Sequence, residues 1–201
     1  YAQNYHTIII NEIYADPEGD AEPSPRVIPN AEYVELFNTT NQPITLNGFL
    51  LSGGKIGNGI LPAQSYVILC PTSSVAAFSK LGFTIGVTSW NALTNGGEKI
   101  TLTSSTGQLI DSVTYSLSFY HDEEKKDGGW SMECIDPISP CKLGSMNWKV
   151  SEDLIGGTPG KKNSVYNVIP DHTPPELNKM QWINPKQINL SFNEKKNELT
   201  N

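Results

Sequence analysis

Four carboxylates, Asp16, Glu18, Asp20 and Glu22, fall at alternate positions in a loop that also holds Pro17, Pro23 and Pro25. Hard oxygen ligands two residues apart are what Ca²⁺ loops use, so these four are candidate calcium ligands, and calcium is the one cofactor the chain suggests. The EF-hand pattern is not met, because the sixth position from Asp16 is Ala21 and the twelfth is Val27. A solvated acidic loop is the alternative. Groups for catalysis are sparse. His6, His121 and His172 are far apart, no serine lies in a G-x-S-x-G turn, and Lys55 in GGKIGNG (53–59) lacks the Ser or Thr that completes a phosphate loop, so that run reads as a hairpin loop. The chain reads as a non-enzyme with no catalytic residues.

Cys134 and Cys141 bracket IDPISP, a spacing that closes a short loop without a helix. A disulfide is the reading, worth roughly 2–3 kcal/mol in a loop of this size, with two free thiols the alternative. No CxxC or neighbouring His supports zinc. Cys70, in the apolar run YVILC, reads as an inert buried thiol. Polar residues also interrupt apolar strands: Asn11 and Glu12 in IIINEIY, Glu35 between Tyr33 and Phe37 in EYVELFN, and Asp111 on a face with Leu109, Val113 and Tyr115. Their expected role is structural, tying down neighbouring backbone donors. Trp90, Trp130 and Trp148 read as core or edge packing. A sugar-stacking platform is the functional alternative for aromatics, with Tyr115, Phe119, Tyr120 and Trp130 its nearest candidates.

These residues must be positioned by strands. The 201 residues are 37% hydrophobic with 17 Gly and 14 Pro, a chain that turns often. The net charge of −7, with Arg26 the only arginine, argues against nucleic acid and anionic membrane surfaces as partners. No apolar stretch is long enough to enter and cross a bilayer. Strands are expected at 7–14, 32–38, 43–52, 65–70, 98–103, 108–115 and 129–135, between turn signals such as NQP (41–43), NGG (95–97) and STG (105–107). One short helix is expected from Val75 to Leu81, capped by Ser74 and stopped by Gly82, with Phe78 and Leu81 on one face. The fold class is all-β: an antiparallel β-sandwich of immunoglobulin type without helical crossovers, a closed barrel being the alternative.

Residues 1–6, beginning Tyr-Ala-Gln-Asn, read as the start of a mature chain after a removed signal peptide. Residues 7–167 form the sandwich. Residues 168–201 read as a linker and the opening hairpin (177–183 and 187–192) of a second, incomplete sandwich. Thirty residues cannot bury a core alone, so this hairpin must pack on the first domain, pair with another molecule as a dimer, or stay mobile.

Read in order, IIINEIYADPEGD (8–20), EYVELFNTTNQPITLNGFLLS (32–52), ILPAQSYVIL (60–69), LTNGGEKITLTSSTGQLIDSVTY (93–115), GGWSMECIDP (128–137), NW (147–148) and GGTPGKKNSV (156–165) resemble the lamin tail domain over about residues 7–165. The cysteine pair and the DHTPP segment (171–175), which resembles the start of a bacterial immunoglobulin-like domain, look like secreted bacterial versions of Bacteroidetes type, so that resemblance implies an incomplete second immunoglobulin-like domain over 168–201. The resemblance implies a non-catalytic secreted, cell-surface or periplasmic module for adhesion, scaffolding or substrate targeting, binding an extracellular protein or glycan. A carbohydrate-binding domain and an accessory domain of an extracellular hydrolase or nuclease are the alternatives.

Overall fold

β-branched and aromatic residues concentrate in short strands because their side chains pack well on a pleated, buried surface. The computed structural model describes residues 6–19, 23–138, 144–168, 176–185 and 187–192. The chain divides into two compact units, Tyr1–Val168 and Ile169–Asn201. The first holds β1 (Ile8–Tyr14), β2 (Tyr33–Asn38), β3 (Ile44–Thr45), β4 (Leu50–Leu51), β5 (Gly54–Ile56), β6 (Ile60–Leu61), β7 (Tyr66–Pro71), β8 (Thr84–Thr88), β9 (Lys99–Thr103), β10 (Leu109–Thr114), β11 (Met132–Cys134) and β12 (Trp148–Val150).

Ten of these strands form one sheet in the order β10-β9-β4-β5-β8-β7-β2-β1-β11-β12, with β3 and β6 paired separately. The sheet curls so that β10 meets β1: His6 N–H donates to Ile110 O at 3.0 Å, and Ile10 N–H donates to Asp111 Oδ2 at 2.7 Å. The enclosed layer is the main core, built on Ile8, Val34, Leu36, Val67, Ile100, Leu102 and their neighbours. Each such side chain, fully buried, contributes about 1.5–3 kcal/mol. This is the immunoglobulin-like all-β architecture read from the sequence.

The strands β7, β2 and β1 are covered on their other face as well, which is why β1 and β2 are buried along their whole length. A second cluster of Tyr14, Ile28, Tyr33, Ile68, Cys70 and Phe78 lies there, joined by Ala31, Val75, Leu81 and Ile155. Tyr33 stacks on Tyr14 with ring centroids 5.2 Å apart and meets Phe78 edge-on at 5.3 Å.

Four expectations are corrected. The sheet is mixed: β7 and β8 pair in parallel, and the chain crosses between them through a 3-10 turn (Thr72–Ser74) and the helix α1 (Val75–Phe78). Parallel neighbours need such a crossover, so the one helix is a connection within the sheet. That helix ends at Phe78, and Ser74 makes no side-chain cap, because it belongs to the preceding 3-10 turn with φ −99° and ψ −5°. The expected strand over 43–52 is broken into β3 and β4 by a turn at Leu46–Phe49, where Gly48 takes φ +79°. Residues 54–56, read as part of a hairpin loop, form β5 instead, paired with both β4 and β8. No strand was expected over 60–61, 84–88 or 148–150, where β6, β8 and β12 lie.

The second unit, described by itself, is an antiparallel hairpin of β13 (Leu177–Asn184) and β14 (Gln187–Phe192).

Candidate functional site

Two β-bulges set the polar interior. In the β1–β2 ladder the register shifts between Ile10 and Glu12, so Asn11 is the extra residue and both Asn11 and Glu12 are buried. In β10 the shift falls between Leu109 and Asp111, so Ile110 and Asp111 turn inward while Leu109, expected on the buried face, is exposed. A bulge places two residues against one on the partner strand, which breaks the alternation a sequence reading assumes.

Glu12 pairs in register with Glu35 on β2 and with Glu133 on β11. Directly opposed residues point to the same face, so the three carboxyl groups stand in a row across β2, β1 and β11, all fully buried. The segment 156–165 closes over them. Glu12 Oε1 accepts from Tyr33 Oη (2.8 Å), Ser131 Oγ (2.6 Å) and Thr158 N (2.7 Å). Glu35 accepts from Asn11 Nδ2 (3.0 Å) and Gly160 N (2.5 Å). Glu133 Oε1 accepts from Thr158 Oγ1 (2.9 Å), and its Oε2 from Ser164 Oγ (2.7 Å) and Val165 N (3.2 Å). Asn163 completes the set, its Oδ1 accepting from Asn11 Nδ2 at 2.7 Å and its Nδ2 donating to the carbonyls of Asn11 and Cys134.

Burial dominates the electrostatics. Loss of hydration, followed by repulsion from Glu133, pushes the Glu12 carboxyl up to about 8 against the hydrogen bonds from Ser131, Thr158 and Tyr33. Glu35 is raised well above the carboxylate range, by burial first and by Glu12 second. The Tyr33 hydroxyl rises too, through burial and then the charge of Glu12.

Asn11, Glu12, Glu35 and Asp111, expected to be structural, are buried among neighbouring backbone and side-chain donors, while Glu12 Oε2 has no hydrogen-bond partner. Asp111 accepts from Ile10 N and Ser112 N and lies 3.3 Å from His6 Nδ1. These two residues reach the lip of a cleft of about 250 Å³, together with Ile10, Phe119, Cys134 and Trp148. Glu133 and Asn163 were not singled out beforehand. Glu133 carried the same signal as Glu12, a charge in an apolar strand. Asn163 carried none.

The aromatic platform is corrected: Tyr115, Phe119 and Tyr120 are core residues, with Phe119 stacked on Trp148 at 5.8 Å. Trp130 is half-buried and its ring is covered by Lys125 Nζ at 3.8 Å. Trp90 packs on the core edge and donates to Glu32 Oε2.

In the acidic loop, Asp16 is held by the Glu18 amide and Asn95, and Glu18 accepts from Asn30 at 2.8 Å. Asp20 and Glu22 lie outside the described residues, as do Cys141, His172 and DHTPP. Among the described residues no three His, Cys, Asp or Glu side chains are placed to hold a metal ion. Cys134 and Cys70 are buried thiols, both raised by burial, Cys70 to about 11. Cys134 Sγ accepts from Asn147 Nδ2 at 3.4 Å.

The family model of the Lamin Tail Domain matches residues 2–116, more than half of the chain. No curated protein matches it. The match ends before β11, so Glu133, Thr158, Gly160 and Asn163 lie beyond it, although the fold joins them to Glu12 and Glu35 in one polar centre.

Proposed function

Because this chain belongs to the lamin tail domain family, a family of non-catalytic immunoglobulin-like modules, we propose that it serves as an interaction module for adhesion, scaffolding or substrate targeting at an extracellular or cell-surface location. The observation that supports this reading is the use made of the chain's most reactive-looking groups. Glu12, Glu35 and Glu133 are fully buried and spent on fastening segment 156–165, which is the work of a scaffold. A protein partner is favoured over a glycan, because three of the four aromatics that would stack on a sugar are in the core. In that setting the Cys134 thiol would be oxidised to a bridge with Cys141, a bond that such compartments sustain. The exposed apolar side of the C-terminal hairpin suits self-association.

The test pairs an activity screen with binding. The purified chain is expected to turn over no phosphodiester, phosphomonoester, ester or peptide substrate above blank. Immobilised, it is expected to retain no soluble polysaccharide. Turnover abolished by substitution within the chain would overturn the non-catalytic reading, and retention of a glycan competed by free sugar would replace the protein partner with a carbohydrate.

A further inference from the structure

Six carboxylate oxygens lie in the row formed by Glu35, Glu12 and Glu133, and five of them accept hydrogen bonds. The sixth, Glu12 Oε2, is buried without a partner. It belongs to the middle carboxyl, which stands between Glu133 and Glu35, and both oxygens of Glu35 accept from N–H donors. Among the described residues no cation is paired with the row. Lys149, directly opposite Glu133 on β12, turns its ammonium to Glu152. In the closing segment Lys161 pairs with Asp153 at 3.1 Å and Lys162 lies over the Tyr166 ring. Arg26 reaches Pro17 O, and the other titratable neighbours of Glu12, Tyr14 and Tyr33, carry no positive charge.

We infer that Glu12 holds a proton on Oε2 in the folded domain at neutral pH, and that this proton keeps segment 156–165 closed over the sheet, making the closure sensitive to pH. A neutral middle carboxyl removes two repulsions from the row and leaves its Oε1 free to accept from Thr158 N. When the segment lifts, the amides of Thr158, Gly160 and Val165 leave, water reaches the row, and Glu12 releases its proton to solvent. The open form ionises in the ordinary carboxylate range and the closed form near 8. Opening is thus favoured by up to tenfold per pH unit between those limits and levels off above them.

Amide hydrogen exchange of Thr158, Gly160 and Val165, corrected for intrinsic rates, reads this directly from pH 5.5 to 8.5. Protection is expected to fall with rising pH and level near pH 8, and Leu102 in β9, buried in the main core, to stay more protected than these three amides at every pH. In Glu12→Gln the amide oxygen retains the three donors and the slope falls, leaving only the share of Glu35, which burial also raises. Glu133→Gln moves the levelling point to lower pH. Parallel slopes in the native chain and Glu12→Gln would overturn the inference. Should Glu12→Gln fail to fold, the ¹³C-carboxyl titration of Glu12 in the native chain decides: a midpoint in the ordinary carboxylate range sinks it.

Discussion

Asn163 joins three parts of the fold through one side chain, donating to Asn11 O at 3.0 Å and Cys134 O at 2.8 Å and accepting from the Asn11 amide. The partners lie across β1 and β11, and all are buried, so truncation strands each of them without water. Asn163→Ala is expected to destabilise the domain by about 2–4 kcal/mol, read as a lower urea midpoint with unchanged slope. Asn163→Asp keeps the acceptor but loses the donor and adds a fourth carboxyl beside the row, so it should be at least as damaging. The cysteines give a second prediction at this scale. With the proposed Cys134–Cys141 bridge, the chain unfolded without reductant exposes one alkylatable thiol, Cys70; three would remove the bridge. In the folded chain Cys70, raised by burial to about 11, should resist iodoacetamide at pH 8. Glu12 and Glu35 were legible as polar interruptions of apolar strands. Their partners were not, because Thr158, Gly160 and Asn163 arrive from more than a hundred residues away and nothing local marks a glycine amide as a carboxylate donor.

At the scale of elements, the closing segment depends on glycine where its backbone comes nearest the sheet. A Cβ on Gly157 would stand 2.8 Å from Glu12 Oε1 and from Tyr33 Oη, and 2.9 Å from Ile28 Cδ1. One on Gly160 would stand 2.8 Å from the Gly82 Cα and the Leu81 carbonyl, with φ at +83° adding backbone strain. Gly157→Ala and Gly160→Ala are each expected to cost about 1–3 kcal/mol, the second more because backbone yields less than side chain. Gly96→Ala, where a Cβ meets nothing within 4 Å, should leave the melting temperature within about a degree and serves as the control. Strands rich in β-branched residues, such as β1, β2, β7 and β9, were legible within a residue or two. β5 was hidden because its residues, Gly-Lys-Ile, carry no alternation beyond one apolar side chain. The parallel β7–β8 pairing was hidden for another reason: a four-residue helix gives too little periodicity to announce a crossover.

At the scale of the whole molecule, the composition fixed the class, since a chain so rich in Gly, Pro and Asn turns too often for long helices. It could not fix how the sheet closes, which depends on long-range bonds such as Ile10 N to Asp111. The two units differ in what they bury. The first has a main core plus a second cluster beneath α1 and the closing segment. The second is a hairpin whose register sets Met180 against Leu190 and Trp182 against Ile188 on one face, and Lys179 against Ser191 and Gln181 against Asn189 on the other. Its apolar face is exposed, Trp182 at 62%. A two-stranded ribbon by itself is marginal in water even when its pairs are well chosen, because a single apolar face buries too little to offset the ordering of the chain. A chain ending at Val168 is therefore expected to unfold in one cooperative transition, monitored by near-ultraviolet circular dichroism. A peptide of residues 176–192 is expected to show no sheet signal at micromolar concentration. A sheet signal that rises with peptide concentration would assign the hairpin's stability to self-association, as the proposed dimer requires, whereas one independent of concentration would require an intramolecular source of stability that its exposed face does not supply.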